Sequence, residues 1–511
     1  GVTTKPEKTT GVPTVESTSA KLKPAGSYEA VYDALQKVQE SSGYRGDIFY
    51  KNDKLWVEDN MEMAVPTEPM IPSVDSESDG MGGDSTGGLS FSETNVQVEG
   101  IDEADIIKTD GQYFYVFDLN RNSIYIVSAK GSEMKLTATV PVSEEFDGNE
   151  TGREMYLLGD RLVLLVSGFR TEEKSEYSKN AGENVPYIRE CAVTKVFTYD
   201  ISDKSAPKLL SSLEQDGRMI TSRCTGGKVY VISAYRDYNV WFKPSDGARE
   251  RTGQEAVDYA KYIPTVAGET IAPDCIYISE EPVSEEFLVV TAMSPEKPDK
   301  YLDVKSLLAD GDECYVSSNY IYVAGSRWQN YEIPYDRTEV YRFAYKDGEI
   351  TPAGQVTVKG MLNDQFSMDE YEGNLRVIVT VGDTNSVYVM NKELEVIGKI
   401  EGLAEEERVY SARFMGATAY FVTFYETDPL FTVDFSNPKD PKIIGKLKIP
   451  GFSDYLHFYG EDKLLGIGMD VDEETLVTGG VKLTMFDISD KTDVKEEATY
   501  VMENVYSTDV S

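Results

Sequence analysis

From residue 101 onward the polar and apolar positions of this chain fall into a recurring pattern. Runs dense in Val, Ile, Leu, Phe and Tyr return at intervals: QYFYVF (112–117), RLVLLV (161–166), KVYVI (228–232), YIYV (320–323), LRVIV (375–379), TAYFVTF (418–424) and KLLGI (463–467). Most follow a turn signal: Asp110-Gly111, Gly159-Asp160, Gly226-Gly227, Asn319, Gly373-Asn374, Gly416 or Gly460. Gly, Asn and Asp supply the positive φ or the side-chain closure that tight turns need. β-Branched and aromatic residues suit pleated strands. Each run is therefore predicted as a strand, and one apolar on both faces belongs to a sheet covered on both sides.

A further strand follows each run, as in TKVFTYDIS, TEVYRFAY and VKLTMFDIS. Two of them end nearly alike, YDISDKSAPK (199–208) and FDISDKTDVK (486–495), and VDFSNPKDPK (433–442) is a third variant. This is direct internal repetition, with Asp or Asn placed to close a turn through its own side chain. Outer segments such as LTATV, LLSSLEQ and IIGKLKI are mixed in polarity. Helical periodicity is scarce after residue 101, which argues against α/β folds.

The prediction is an all-β fold, a β-propeller of four-stranded blades. The blades number seven or eight, and seven can be counted: 103–150, 153–217, 218–311, 312–363, 365–405, 407–452 and 454–505. The third carries an insertion at 234–275 with a short helix in TGQEAVDYAKYI, and the fourth a smaller one, SRWQNYEIPYDR.

Ahead of this body the pattern changes. Residues 1–26 are rich in Thr, Ser, Pro and Lys and read as a flexible tether. At 27–40, Ala30, Val31, Ala34, Leu35 and Val38 share one helical face and Ser27 can cap it. Residues 27–100 are expected as this helix plus an acidic Gly/Ser/Pro-rich segment packed on a 101–511 propeller. Within the segment, Asp75, Glu77, Asp79 and Gly80 imitate the start of a calcium loop. Thr86 stands where an EF-hand needs Glu, so a solvated linker is the plainer reading.

Composition narrows the function. The 511 residues carry 89 acidic and 50 basic side chains, a net charge of -39. Such a field repels nucleic-acid phosphates and anionic lipid. No apolar run reaches the length that spans a bilayer. The tether composition and the Gly1 start suggest an extracellular or cell-surface protein whose export signal or lipid anchor has been removed. Cys191, Cys224, Cys275 and Cys314 form no C-x-x-C pair. They are either two disulfides, Cys191–Cys224 and Cys275–Cys314, or buried free thiols.

The run TNVQVEGIDEADIIKTDG, with the strand repeats, resembles a family of secreted bacterial and archaeal β-propeller domains distantly related to WD repeats. The resemblance implies an exported protein, often anchored at the surface, with no established enzymatic activity and no agreed catalytic residues. Family members continue with further strands beyond the point matching 505–511. Ring closure here is thus expected to borrow a strand from the N-terminal segment or to stay incomplete.

Candidate chemistry is sparse. Asp102, Glu103 and Asp105 form the densest acidic cluster, suited either to Ca²⁺ or to hydrogen bonds from an adjoining blade. No other cofactor is implied. His457 is the single histidine, without a G-x-S-x-G elbow, so a structural role is expected. Tyr235, Tyr238, Trp241, Phe242, Trp328 and Tyr331 sit on the insertions, where they could stack on sugars, anchor a protein or cover the propeller as small cores. The leading expectation is a non-enzymatic, monomeric binding or scaffold module for protein or glycan at the cell envelope. A carboxylate-based surface hydrolase acting on glycans and a plain envelope spacer are the alternatives.

Overall fold

The computed structural model describes residues 18–41, 96–118, 120–130, 133–142, 150–178, 183–236, 259–327, 336–424, 428–449, 451–472, 478–502, 505 and 507. Among them the strands form seven sheets, each built on an antiparallel four-stranded meander in chain order. The first sheet comprises Ile107–Thr109, Tyr113–Asp118, Ser123–Lys130 and Glu133–Pro141. The second holds Glu150–Leu158, Arg161–Ser178, Glu183–Asp200 and Lys208–Asp216, and the third Arg218–Thr225, Lys228–Tyr235, Phe287–Met293 and Tyr301–Leu308. The fourth holds Glu313–Val316, Tyr320–Arg327, Arg337–Lys346 and Glu349–Lys359. In the fifth, Met361–Leu362 and Met368–Tyr371 both pair with Asn374–Val381, followed by Thr384–Met390 and Val396–Leu403. The sixth is Arg408–Met415, Thr418–Phe424, Asp428–Asp434 and Lys442–Ile449. The seventh is Phe452–Phe458, Lys463–Val471, Thr478–Asp487 and Lys495–Met502. The expected all-β propeller is what these strands build.

Apolar clusters join neighbouring sheets pairwise. Tyr115 and Ile126 of the first meet Met155 and Leu164 of the second. Val163 and Val196 meet Val229 and Val231 of the third. Ile232 and Val290 meet Val323 and Phe343 of the fourth. Val340 and Val356 meet Val377 and Met390 of the fifth. Val387 meets Phe421 of the sixth, and Val422 meets Leu464 of the seventh. Six clusters thus hold seven sheets together, and among the described residues none joins the seventh to the first.

The crossings between sheets use a device that recurs. Gly217 and Gly360 each link an outer strand to the next sheet, with φ of 106° and 113°. A Cβ on either would lie 2.8 Å from a backbone oxygen, of Ala234 or Thr380, so only glycine fits. Thr194 and Thr338 donate their hydroxyls to the glycine carbonyls at 2.8 Å. Asn385 plays a similar part in the fifth sheet, donating to Glu407 O at 2.9 Å. The repeated DIS-type words do close turns: Asp200, Asp434 and Asp487 accept from the backbone N–H groups of Ser202, Ser436 and Ser489.

The N-terminal expectations need adjusting. The helix is present as α1, Tyr28–Ser41, capped by Ser27 Oγ accepting from Ala30 N at 3.1 Å. It buries Val31, Ala34, Leu35 and Val38 as expected. Of the tether predicted over 1–26, residues 1–17 lie outside the described residues, and the part after them is paired in strands. Thr18–Ala20 pairs with the outer strand of the fourth sheet, and Lys23–Pro24 with Ile276–Ile278 of the third. Backbone donors and acceptors on exposed sheet edges capture even a polar segment. These strands strap the outside of the third and fourth sheets and do not complete the seventh. The insertion also spreads: Thr265–Val266 and Glu269–Thr270 extend the second sheet; of the stretch expected as a short helix, Tyr259–Tyr262 is a 3-10 turn and residues 252–258 lie outside the described residues.

The expected disulfides Cys191–Cys224 and Cys275–Cys314 are not formed. Cys224 and Cys314 occupy first strands in different inter-sheet cores, and burial pushes both thiols up to about 12. They pack as small hydrophobes.

Candidate functional site

The segment from Val96 to Thr109 crosses the first strands of three sheets. Asp102 exchanges both backbone hydrogen bonds with Cys224 of the third sheet, at 2.8 and 2.9 Å. Asp105 does the same with Met155 of the second, at 3.2 and 2.8 Å. Ile101 is buried between the third and fourth sheets, and Val98 packs on that cluster and the next. Gln97 Nε2 reaches Gln365 O, beside the fifth sheet, at 3.3 Å. The most distinctive stretch of the sequence is therefore a seam through the middle of the molecule.

Its charges serve the seam. Lys108 is almost fully buried and donates to Asp102 Oδ1 at 3.0 Å and to Glu103 O at 2.5 Å. Arg223, also buried, lies 3.4 Å from Glu103 Oε1 and donates to Gln365 Oε1 at 3.1 Å. Asp105 Oδ1 accepts from Ile106 N at 2.6 Å. The three carboxylates thus turn to three different partners, and no group of three or more His, Cys, Asp or Glu side chains among the described residues is arranged to hold a metal ion. Buried charges are tolerated where each has an opposite charge or hydrogen bonds, which is what this seam supplies.

Two concavities flank it. The larger, of about 610 Å³, is lined by Val96, Asp102, Ile107, Phe114, Leu157 and the Thr225–Gly227 turn among others. The smaller, of about 300 Å³, is lined by Glu103, Glu154, Arg223, Asp312, Glu313 and Gln365 with their neighbours. In the smaller chamber burial raises the Glu154 carboxyl, which accepts a short hydrogen bond from the Ser222 hydroxyl. Ser222 is in turn 2.8 Å from the Tyr156 hydroxyl. Burial, with repulsion from Asp312 and Asp364, lifts Glu313 to about 7. Two carboxyls that burial pushes above their ordinary range, Glu313 to about 7, therefore face one polar chamber.

Arg413 stands next to this region, its guanidinium 3.3 Å from the Phe366 ring centre and 4.6 Å from that of Tyr455. Burial lowers its pKa, and stacking between two rings compensates the buried cation. His457 lies on the first strand of the seventh sheet, its ring stacked on Tyr455 at 6.3 Å. Burial first and Arg413 second depress its pKa.

The aromatic candidates fare differently. Tyr235, expected on a binding loop, is the last residue of a central strand. It is buried in the cluster under α1, with its ring 6.5 Å from Phe287. It covers the body, because the apolar face of α1 needs a partner. Tyr238, Trp241, Phe242, Trp328 and Tyr331, like Asp75, Glu77 and Asp79, lie outside the described residues.

Glu154, Arg223 and Glu313 were not singled out from sequence. A signal existed. Arg223 and Glu313 each immediately precede one of the two equivalent cysteines, Cys224 and Cys314. Both lie on first strands beside the seam and line the chamber.

The comparisons agree with this geometry. An uncharacterised protein of Archaeoglobus fulgidus is 30% identical over 485 residues, covering 82% of this chain and 72% of that protein. An uncharacterised protein of Methanocaldococcus jannaschii is 28% identical over 475 residues, covering 80% and 69%. Residues 91–511, the seam and all seven sheets, match the model of the beta propeller domain, and the chain belongs to that family.

Proposed function

We propose that this chain is a non-enzymatic binding or scaffold module working outside the cytoplasm, at the cell envelope, for a protein or glycan ligand. The carrying observation is the division of labour around the seam. Asp102, Glu103 and Lys108 of the signature are engaged in ion pairs that hold sheets together, while a recess of about 610 Å³ beside them stays concave and mixed in character. That volume is within the range of small-ligand sites, or of one inserted side-chain cluster of a partner. Apolar walls from Leu157 and Phe114 beside the Lys108–Asp102 pair suit a sugar ring or an amphipathic loop. The net charge of -39 turns away nucleic acid and anionic lipid, and the Thr/Ser/Pro/Lys leader has the composition of a surface tether.

The test is retention of envelope polysaccharide fragments and envelope proteins on the immobilised chain, repeated with Thr225→Arg. The long cation would occupy the recess from its rim without touching an inter-sheet core. Loss of retention with an unchanged melting temperature is the expected result. Equal retention by both forms sinks the recess as the binding site.

A second reading rests on Glu154 and Glu313, whose raised pKa values suit acid–base work on a small polar substrate. The chamber of about 300 Å³ is at the lower end for ligands and is overlaid by the seam, so a polysaccharide chain is a poor fit. Hydrolysis of a panel of aryl glycosides that disappears in Glu313→Gln would promote this reading over the first.

A further inference from the structure

Acidic side chains outnumber basic ones 89 to 50, so an arginine shielded from solvent in this chain has carboxylates to choose from. Arg223, Arg327, Arg337 and Arg376 each meet one. Arg413, on the first strand of the sixth sheet, meets none among the described residues. Its polar contacts there are Ala412 O, at 3.4 Å, and the Tyr455 hydroxyl. Asp364 and Glu103 act on it from beyond ion-pair distance, because both are engaged elsewhere. Asp364 Oδ1 accepts from Ser367 N and Oγ, each at 3.0 Å, and its Oδ2 accepts from Asn363 Nδ2 at 2.9 Å. Glu103 Oε1 is 3.4 Å from Arg223 Nη2 and accepts from Gln97 N. The guanidinium is nevertheless fixed. Phe366 and Tyr455 meet edge-on, at 83° with centroids 6.1 Å apart, and Arg413 lies 3.3 and 4.6 Å from those centroids. The elements forming this corner are tied together. Asn363 Nδ2 donates to Tyr410 O at 2.8 Å, and Ser411 Oγ donates to Ser453 O at 2.6 Å. Arg413, Phe366 and Tyr455 are all half-buried, so solvent reaches the corner. The rings supply apolar contact and leave most of the N–H donors unspent. A fixed, partly dehydrated cation with free donors is completed by an anion.

We propose that Arg413 anchors a binding site for a small organic carboxylate, with Phe366 and Tyr455 as walls for its carbon skeleton. Three observations choose that ligand. A guanidinium pairs with a planar carboxylate through two parallel N–H···O bonds, which the unspent donors of Arg413 can supply. A phosphate would bring more than one negative charge beside Asp364 and Glu103, in a chain of net charge -39. The two aromatic walls favour an acid borne on a ring or an apolar stem over a bare inorganic anion. His457, stacked on Tyr455, is near enough to feel the Arg413 charge and so to sense its neutralisation. This inference does not depend on the ligand assigned to the recess.

His457 is the single histidine, so isotope labelling of histidine places one NMR reporter beside the site. Its titration in the intact chain is followed with benzoate, glucuronate or inorganic phosphate at equal ionic strength. Without ligand the midpoint lies below 6.5, lowered by burial and then by Arg413. A bound carboxylate offsets the Arg413 charge, so either organic acid should raise the midpoint, saturably, by roughly 0.5 or more. Phosphate should raise it far less. Arg413→Gln should raise the ligand-free midpoint and abolish the response. Arg413→Lys keeps the charge and loses the paired donors, and it serves also if the neutral variant fails to fold. Its ligand-free midpoint should stay low while affinity for the acids falls about ten-fold, the loss of one charge-assisted hydrogen bond. No saturable movement with either acid overturns the site, whether the guanidinium is only stacked or is already met by a carboxylate of the chain outside the described residues. An equal response in Arg413→Gln overturns the anchor, unchanged affinity in Arg413→Lys overturns the paired recognition, and an equal response to phosphate overturns the ligand class.

Discussion

The third sheet and the seventh are made of similar words, KVYVI and KLLGI, yet they bury them differently. In Lys228–Tyr235 every residue after the first is buried, and Phe287–Met293 beside it is buried throughout. Along Lys463–Ile467 burial alternates, as it does from Tyr115 to Asp118 in the first sheet. A strand apolar on both faces is thus necessary for a sandwiched sheet and does not by itself make one. What decides is whether a neighbour lies on each side.

Substitutions of one residue type on the two kinds of sheet sharpen this contrast most. Phe421 is fully buried and stacked on Phe431 at 4.9 Å between centroids, whereas Phe114 is half-buried on the outer face of the first sheet. Phe421→Ala is expected to cost about 3–5 kcal/mol. Phe114→Ala should cost about 1 kcal/mol, by partial area loss alone. Urea titrations of both variants measure the difference, and similar losses would break the distinction.

The next effect concerns the seam that ties the first sheet inward. Arg223→Ala leaves Glu103 without its buried cation, at a cost of about 3 kcal/mol. Arg223→Ala combined with Glu103→Gln should recover much of that in the same titration. A double variant as unstable as the single one would mean that packing of the long side chain matters more than its charge.

A smaller effect is the pH response of the sandwiched sheets. Burial and then Asp310 raise Glu286, and burial and then Asp312 raise Glu313, both to about 7 from an ordinary 4.5. Both folded values exceed the unfolded ones, so the protonated forms favour the fold. Their contribution is complete below pH 4.5 and is lost as pH rises through 7. Glu313→Gln, which cannot ionise, should gain on the wild type by about 1–2 kcal/mol across that window after solvent screening. Thermal melts at both ends of the window check it, and a pH-independent difference would refute the shift. Least of all, Leu136→Lys at an exposed position of the first sheet should change stability by no more than about 0.5 kcal/mol in the purified chain.

Much of the architecture was legible because strand patterning is local. The seven apolar runs fall within or overlap the second strands of seven meanders, and the Asp of each DIS-type word accepts from a backbone N–H two residues on. The glycine crossings were in plain view yet meaningless until Gly217 and Gly360 were seen lying against backbone of the next hairpin. The chamber was less visible still. Glu154 and Glu313 come from different sheets, and no spacing in the chain brings them together. Tyr235 misled because a residue at the edge of an insertion was read as part of it. The helix that buries it lies some two hundred positions earlier.

The sequence by itself determined the strands, their turns and their repetition, since period, propensity and turn chemistry act over a few residues. Tertiary structure alone decided which sheets are covered on both faces and where Thr18–Pro24 would land. It also decided that Asp102, Glu103 and Lys108 of the VEGIDEADIIK run would be paired within a seam. Those outcomes depend on burial and pairing between segments far apart in the chain, and solvent exclusion is a property of the assembled neighbours, not of any one strand.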